Sequence, residues 1–373
     1  MERALKPRRV IIVGAGPGGA AAGIALGRSL GLEIVMLDAA TFPRDKICAG
    51  GLSVNAQGVL AQLGQRDDVL AEAHAIGRLR LVGPGAEEWS LGKARSVVLP
   101  RLRFDHLMAR AAVRAGATLR EGVRVKSLLR FGGHVCGVST SEGDLEADVT
   151  IVAAGVLAGS KLARVSTTDE EPEHRFLAVE RRYEGWSFDP SAMEMIYAKE
   201  LLPGYGWVFP ESPVRANVGI CIDEAHPERA SLHRLLDEFL ERHLGARMKG
   251  AVPVDNVRGQ PIAWRGTVPE LSEPGAMWVG EAAGLTSAAT GEGIWHALAS
   301  GVFAAETIAD MVRTTSVDAL SGYRRRCVRT LGVPLKSAAL FSRGASSRWF
   351  SSAVHLAGTG LGGRLSAAVL ERL

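Results

Sequence analysis

The sequence predicts an α/β fold in which a parallel-sheet domain is split by an inserted antiparallel sheet and followed by a C-terminal helical segment. Two glycine-rich stretches, residues 14–19 and 280–293, carry this prediction, because each follows a strand-like apolar run and precedes a helix-like segment. Aromatic residues and alternating segments dominate residues 165–262, which is typical of antiparallel strands. One parallel domain is therefore expected to use both ends of the chain.

The N-terminal element is predicted to be a β-α-β unit. Residues 9–13 and 33–37 are apolar runs, and residues 20–30 between them are rich in small side chains. Short apolar runs beside a glycine turn are typical of buried strands, and the longer small-residue segment is typical of a packed helix. The order strand, helix, strand follows.

The glycines of this unit have mechanical roles in binding a dinucleotide. Gly14 permits the tight turn after the strand, Gly16 lets the backbone approach a pyrophosphate, and Gly19 lets helix and strand pack closely. The helix N-terminus then offers free N–H groups to phosphate. Asp38, which ends the second strand, suits a pair of ribose hydroxyls. With a second such loop near residue 280, the pattern indicates a Rossmann-like domain that binds FAD.

The remaining segments set the predicted domain boundaries. Residues 104–114 and 231–243 predict helices, and residues 118–152 predict strands separated by glycine turns. The predicted parts are a discontinuous FAD-binding domain, a substrate-binding antiparallel sheet and a C-terminal helical segment. They cover, in that order, residues 1–164 with 263–333, residues 165–262, and residues 334–373.

The amino-acid composition limits which classes of molecule the protein is expected to bind. The chain has 373 residues, of which 47% are apolar and 23% charged, with a net charge of +4, an ordinary balance for a globular protein. It has no dense stripe of basic residues with interleaved aromatics, so we expect no nucleic-acid binding. The four cysteines are scattered, so we expect reduced thiols and no metal. A strand begins almost at the N-terminus, which leaves no room for a signal peptide and predicts a cytoplasmic protein.

Four further motifs follow one another along the chain. They are Phe-Pro-Arg-Asp-Lys-Ile-Cys-Ala-Gly-Gly-Leu-Ser at residues 42–53, Arg-Leu-Arg-Phe-Asp at 101–105, Gly-Tyr-Gly-Trp-Val-Phe-Pro at 204–210, and Gly-Glu-Ala-Ala-Gly with Gly-Glu-Gly-Ile within 280–294. In this order they resemble the geranylgeranyl reductase family. These are FAD enzymes related to the aromatic hydroxylases of the p-hydroxybenzoate hydroxylase type.

The resemblance implies FAD, a two-lobed fold and a substrate between the flavin and the inserted sheet. In that family the flavin reduces isolated carbon–carbon double bonds of long isoprenoid chains, whereas the related enzymes activate oxygen and hydroxylate aromatic rings or quinones. The fingerprint and the resemblance together predict the following FAD-binding residues: Gly14, Gly16, Gly19, Asp38, Arg44, Cys48, Gly50, Arg101, Gly280, Glu281, Gly291, Gly293 and Ile294.

Three residues depart from the family pattern. Glu281 stands where the family usually has aspartate, and its longer side chain could still reach a ribityl hydroxyl. Ala154 replaces an aspartate in a segment that touches FAD and the nicotinamide donor in the hydroxylases. Ala288 replaces a proline that usually lies beside the flavin. The electron donor, NADPH or another carrier, therefore stays open.

Cys48, Tyr205 and Trp207 are the candidate catalytic residues. The resemblance places Cys48 beside the isoalloxazine, where a thiol could donate a proton or shape the pocket; a small buried side chain without a role is the alternative. Tyr205 and Trp207 are two apart on a predicted strand and so face one side. They could wall an apolar pocket, and Tyr205 could give a proton; sheet packing alone is the alternative.

For two residues near the second glycine stretch, the sequence gives weaker evidence of a functional role. Glu292 lies at a predicted helix start, where backbone N–H groups can stabilise negative charge on a reduced flavin. We expect this backbone to matter more than the Glu292 carboxylate. His296 is a lone histidine on a predicted helix, and we expect a satisfied core or surface residue there.

The sequence leaves three functions open. The first is an FAD-dependent reductase that delivers hydride to a double bond of an apolar, prenyl-like substrate. The second is an FAD-dependent monooxygenase that hydroxylates or epoxidises an aromatic, quinone or natural-product substrate. The third is a flavin-binding maturation or interaction protein, because fold and cofactor do not fix the chemistry.

The C-terminal segment has two interpretations. Residues 334–373 combine aromatic side chains, such as Phe341, Trp349 and Phe350, with several arginines. A packed helical subdomain is the favoured interpretation, and an amphipathic lid or a peripheral contact with a membrane surface is the alternative. The oligomeric state stays open.

Overall fold

The computed structural model describes residues 8–27, 31–85, 88–92, 95–158, 162, 174–314 and 319–345. The helices are α1 Pro17–Gly27, α2 Val54–Gln62, α3 Arg66–Glu72, α4 Arg101–Arg114, α5 Gly155–Ala158, α6 Leu232–Phe239, α7 Ile294–Thr314 and α8 Ala319–Ala345. The strands are β1 Arg9–Val13, β2 Glu33–Leu37, β3 Gly51–Leu52, β4 His74–Ala75, β5 Arg78–Val82, β6 Glu88–Gly92, β7 Val97–Val98, β8 Thr118–Arg120, β9 Val125–Phe131, β10 His134–Thr140, β11 Gly143–Glu146, β12 Val149–Val152, β13 His174–Glu184, β14 Ala192–Ile196, β15 Tyr205–Pro210, β16 Arg215–Asp223, β17 Val252–Pro253, β18 Arg258–Trp264, β19 Ser272–Glu273 and β20 Ala276–Trp278.

A six-stranded sheet with the order β19-β20-β12-β1-β2-β8 forms the first half of the fold. Its strands run parallel except β19. Residues 10–13 of β1 are buried throughout, because a parallel sheet covered on both faces needs apolar side chains at successive positions. Residues of α1, α4 and α7 share this buried core. The predicted α/β class with a Rossmann-like domain is confirmed.

The two ends of the chain meet in this sheet. Strand β20 pairs with β12, which in turn pairs with β1. Helices α1 and α7 approach closely at two glycines: a Cβ placed on Gly301 would lie 2.2 Å from the carbonyl oxygen of Gly18. No side chain fits at that crossing, so glycine is what allows the C-terminal helix to lie against the N-terminal one.

An eight-stranded sheet forms the second half, with the order β17-β13-β16-β15-β14-β5-β6 and with β18 also paired to β13. The sheet is antiparallel except where β14 and β5 run parallel. Its outer face packs on α6, and Gly206 leaves room for Phe239, whose ring would lie 2.1 Å from a Cβ at that position. Its inner face turns towards the six-stranded sheet.

Several elements differ from the sequence prediction. Strands β5 and β6 join the eight-stranded sheet although they precede residue 165. Helix α4 begins at Arg101, directly after Pro100, and so includes three residues that the prediction left out. Helix α6 ends at Phe239 and passes into a π-helical turn, which keeps Leu244 buried. Helix α8 runs through Pro334 without ending. Of the predicted C-terminal segment, residues 334–345 belong to α8, and residues 346–373, which include Trp349 and Phe350, lie outside the described residues.

Candidate active site

A cavity of about 810 Å³ lies between the two sheets. On one side it meets the carboxyl ends of β1, β2 and β12, where ligands of open α/β sheets bind. On the other side it meets the inner face of the eight-stranded sheet. Its volume falls in the range of about 300–1,000 Å³ that is usual for small-molecule and cofactor sites.

The first glycine stretch shapes the cavity floor through close backbone approaches. Gly14 has a φ of +97° and donates its N–H to the Leu37 carbonyl at 2.7 Å. A Cβ on Gly14 would lie 2.5 Å from the Ala153 carbonyl oxygen, and one on Gly19 would lie 1.9 Å from that of Gly14. Gly16 borders the cavity and is less crowded, because a Cβ there would be 3.6 Å from its nearest neighbour. This leaves the backbone open to a pyrophosphate.

Asp38 holds the glycine loop in place. Its carboxylate accepts hydrogen bonds from the backbone N–H of Ala15 and of Ala40, both at 2.9 Å. The side chain also lines the cavity, and carboxylate oxygens have further lone pairs that can accept from ribose hydroxyls. One residue therefore both fixes the loop and faces the expected nucleoside.

Two arginines border the cavity and share one buried carboxylate. Asp105 is fully buried and accepts from Arg101 Nε at 2.6 Å, from Arg101 Nη2 at 2.7 Å and from Arg44 Nη1 at 2.7 Å. Burial alone would lower the pKa of Arg101, but the Asp105 carboxylate outweighs it and the pKa lies above its ordinary value. The shared Asp105 carboxylate fixes the direction of both guanidinium groups, which suits binding of an anionic cofactor.

The second glycine stretch borders the opposite end of the same cavity. Gly280 and Gly291 have φ values of +59° and +65°, which favour glycine. Gly293 and Ile294 also line the cavity, where the 21-residue helix α7 begins, so its N-terminal N–H groups lie at the cavity. Glu281 binds Lys46 Nζ at 3.1 Å and so connects this stretch to the loop around Cys48.

The inner face of the eight-stranded sheet supplies an apolar wall. Tyr205 and Trp207 are buried and both line the cavity. The Tyr205 hydroxyl donates to the Thr290 carbonyl, and Trp207 Nε1 donates to Asn217 Oδ1 at 2.8 Å. Burial raises the pKa of Tyr205 well above its ordinary value. The other members of this wall are Leu79, Ala178, Met193, Met195, Phe209 and Ile262.

Cys48 lies in the loop between the two sheets and lines the cavity, half-buried. Its Sγ accepts from the Gly50 N–H at 3.5 Å, and its own N–H donates to Glu180 Oε1 at 3.2 Å. Gly50 has a φ of +76° and also lines the cavity. Gln260 anchors the same loop by donating to the Ile47 carbonyl at 2.7 Å. The residues that the sequence selected for FAD or for catalysis thus border one cavity, except Gly19, which packs against the Gly14 carbonyl just outside the lining.

Two buried carboxyl groups at the cavity were not selected as such from the sequence. Glu180 is 1% exposed, and burial raises its pKa to about 7 against the opposing effect of Arg182. Burial likewise raises the pKa of Glu292 to about 7, with nearby Ser53 opposing. Neither Glu292 oxygen makes a hydrogen bond of normal geometry within the described residues. Glu180 is four residues after Phe176 on β13, so both side chains point to the same face of the strand. This two-residue periodicity could have indicated from the sequence that Glu180 faces inward.

His296 on α7 lies in the core, as expected, and is 1% exposed. Its ring lies near the Glu292 backbone, and neither ring nitrogen makes a hydrogen bond of normal geometry among the described residues. Burial lowers the pKa of His296 to about 4, so the imidazole is neutral near pH 7.

Comparison with known proteins agrees with this architecture. Residues 8–330 match the FAD binding domain family. A digeranylgeranylglycerophospholipid reductase from Methanothrix thermoacetophila is 32% identical, over 87% of this chain and 83% of its own length. A menaquinone reductase from Mycolicibacterium smegmatis is 31% identical, over 80% of this chain and 75% of its own. The crystal structure of a geranylgeranyl bacteriochlorophyll reductase-like protein from Thermoplasma acidophilum has the same fold, with a TM-score of 0.82, 23% identity and 96% coverage of both chains.

The fold, the glycine stretches and the match to FAD binding domains define an FAD-dependent oxidoreductase. Within that class, the chain belongs to the geranylgeranyl reductase family. The cavity fits the cofactor, because glycine backbone, two helix N-termini and fixed arginines surround it. In the described part of the chain, no three His, Cys, Asp or Glu side chains group as metal ligands, and no helix is long and apolar enough to cross a membrane.

Proposed function

We propose that this protein reduces carbon–carbon double bonds in the unsaturated prenyl chain of a lipid. The apolar wall opposite the FAD-binding loops is the observation that carries the proposal, because an isoprenoid chain offers only apolar contacts and finds them there. Bound FAD would supply the hydride, and the protein would position the chain and exclude water.

The relatives support a reductase and a lipid substrate. The two relatives described above are named as reductases of digeranylgeranylglycerophospholipid and of menaquinone. Both names describe reduction of a lipid, and neither describes oxygenation. An unsaturated prenyl lipid is therefore the proposed substrate class, with hydroxylation of an aromatic ring as the result that would contradict it.

The predicted site residues have distinct proposed roles. The residues of the glycine stretches, with Asp38, Arg44, Arg101 and Glu281, would hold FAD. Tyr205 and Trp207 would form the wall against which the prenyl chain lies, since their polar atoms are already bonded within the protein. Cys48 would border both the cofactor and the substrate. Variants in the wall should change substrate binding and leave FAD content unchanged.

A peripheral contact with a lipid surface would bring such a substrate to the site. Helix α8 exposes Arg325, Arg329 and Lys336 on one stripe, together with Val333 and Leu340. Cations beside exposed aliphatic side chains suit an anionic membrane surface. Co-sedimentation with anionic vesicles should be lost in the double variant R329E/K336E, and equal pelleting with neutral vesicles would contradict this contact.

The mass of the product tests the proposed reaction. The reduced holoenzyme is incubated with prenyl lipids and with aromatic compounds, in parallel with and without air. We expect a prenyl lipid to gain two hydrogens without air. The gain of one oxygen, only in air, would establish a monooxygenase instead. The matched control is G14A, whose expected loss of FAD should abolish either reaction.

A further inference from the structure

Glu180 occupies an unusual position at the cavity. It extends from β13 into the cavity lining, next to the substrate wall, and is 1% exposed. Its Oε1 accepts from the Cys48 N–H at 3.2 Å, whereas its Oε2 lies near Asn217 without a hydrogen bond of normal geometry among the residues that the structure describes. A buried carboxyl oxygen that is incompletely bonded is costly, so its presence beside the cavity indicates a use there.

The charges around Glu180 come from several elements. Arg182 lies on the same strand, and Arg258 of β18 places Nη2 3.6 Å from Oε1. Asn217 of β16 and the Cys48 backbone N–H also face the carboxyl group. Burial raises the pKa of Glu180 to about 7, and these neighbours oppose the rise. Both the acid and the carboxylate are therefore accessible near neutral pH.

Arg258 connects Glu180 with the protein surface. It also binds Asp45 at 2.7 Å, and both of these side chains are about 30% exposed. Solvent that reaches this partly exposed pair would be one side chain away from the buried carboxyl group. A group that loses a proton to a substrate must regain it in each cycle, and this polar edge of the sheet offers the way in.

Two other acids at the cavity, Tyr205 and Glu292, are less suited to giving a proton. The Tyr205 hydroxyl already donates to the Thr290 carbonyl, and the pKa of Tyr205 lies well above its ordinary value. The Glu292 carboxyl oxygens are also buried and lack a hydrogen bond of normal geometry, with Ser53 nearby, but no salt bridge within the described residues connects Glu292 with the surface. Of these three, Glu180 combines an incompletely bonded oxygen, a place on the eight-stranded sheet and an ion pair that leads to the surface.

We infer that Glu180 is the proton donor of the reduction proposed above, on which this inference rests. The π bond of the alkene breaks; one of its carbons takes the proton from Glu180 Oε2, and the other takes the hydride that reduced FAD supplies. The product thus gains two hydrogens. Glu180 is left as a carboxylate, held by the Cys48 N–H and Arg258, and regains its proton from water.

Infrared spectroscopy tests the protonation of Glu180 without any turnover. The oxidised holoenzyme is titrated between about pH 5 and pH 9, and the carbonyl band of protonated carboxylic acids is compared with that of E180Q. We expect a band that disappears as pH rises through neutrality and that is weaker in E180Q, which keeps only the contribution of Glu292. A band that is equal in both proteins at every pH would overturn the inference.

Single-turnover kinetics test the proton transfer itself. Reduced enzyme is mixed without air with a prenyl lipid, and the rate of substrate reduction is followed. E180Q keeps an oxygen that can accept from Cys48 but has no acidic proton, so we expect a rate about 100-fold lower with unchanged substrate affinity. The wild-type rate should fall as pH rises through about 7, because the acid form is required, and E180D should regain part of the rate.

Glu194 provides a matched control. It is also 1% exposed and lies in the same sheet, but it pairs with Arg80 and Arg247 and does not line the cavity. Both arginines are partly exposed, so E194Q should fold, and its rate should stay within about twofold of wild type. A full rate in E180Q, or a 100-fold loss in E292Q alone, would overturn the role of Glu180 while the reductase function stands. A wild-type enzyme that reduces no prenyl lipid would instead overturn the proposed function.

Discussion

The two ends of the cavity differ in how completely their polar side chains are hydrogen-bonded. At the nucleotide end, defined by Gly14, Asp38, Arg44, Arg101 and Asp105, each charged side chain is bonded to another or to the backbone. At the opposite end, which we call the reaction end because the proposed reduction takes place there, Glu180 and the carboxyl oxygens of Glu292 are buried, and Glu180 Oε2 and both Glu292 oxygens lack a hydrogen bond of normal geometry among the described residues. His296 on α7 does not line the cavity, but its ring nitrogens are buried in the same way. The first arrangement stabilises the fold, whereas buried polar groups of the second kind reduce its stability.

The largest effect should come from breaking the nucleotide end at Asp105. D105N leaves two guanidinium groups near an amide in place of a carboxylate, and Arg101 stays buried without a counter-charge. We expect a loss of about 3–5 kcal/mol in the free energy of unfolding, measured by urea denaturation. E33Q, which removes an exposed partner of Arg9, is the control and should change stability little. Equal losses in both variants would show that burial does not matter here.

The next effect should appear in the pH dependence of stability, at His296, which is buried on α7 between the cavity-lining residues Ile294 and Ala297. Its pKa of about 4 in the folded protein lies below the ordinary 6.5. As pH falls below about 6.5, His296 becomes protonated in the unfolded chain, whereas in the folded protein it stays neutral until about pH 4. The free energy of unfolding therefore decreases between about pH 6.5 and pH 4. H296L removes this loss. We expect its stability relative to wild type to rise by about 3 kcal/mol between pH 7 and pH 4, at about 1.4 kcal/mol per pH unit; a constant difference would contradict the assignment.

A smaller effect is expected from the glycine backbone at the nucleotide end. G14A places a Cβ 2.5 Å from the Ala153 carbonyl in a left-handed conformation, so both strain and collision act. We expect a loss of about 2 kcal/mol together with a large loss of bound FAD, measured by flavin absorbance. Gly58 in α2 is a matched control, because a Cβ there meets nothing within 4 Å. G58A should be neutral or slightly stabilising and should keep its FAD.

The smallest predicted effect is a change in substrate affinity that leaves FAD binding unchanged. Met195 is buried in the substrate wall, and M195Q places an amide where a prenyl chain should lie. We expect KM for a prenyl lipid to rise about tenfold, equivalent to about 1.4 kcal/mol, with FAD content unchanged. R44M should have the opposite effect: it should weaken the binding of FAD and leave KM for the prenyl lipid unchanged. If M195Q instead releases FAD, the proposed division of the cavity is wrong.

The same contrast explains which features were predictable from sequence. Gly14 and Gly291 have a positive φ, which only glycine adopts freely, so both glycine stretches at the cavity were visible as local motifs. The α/β class, FAD and the family are confirmed. The sequence did not predict that β5 belongs to the eight-stranded sheet, because its partner β14 lies more than a hundred residues away along the chain. The Glu180 carboxyl group has no motif around it, and only the folded sheet shows that it is buried at a cavity.

The pairing of β20 with β12, and the crossing of α7 on α1, also constrain how the protein is made. At roughly 5–20 residues per second, a ribosome needs roughly 15–60 s to extend the chain from the first glycine stretch to α7. During that interval the apolar surface of α1 and one edge of β12 lack the partners they have in the finished protein. The nascent N-terminal half therefore cannot complete its flavin pocket until synthesis passes residue 314, and until then it exposes an apolar surface of the kind that makes folding intermediates prone to aggregate.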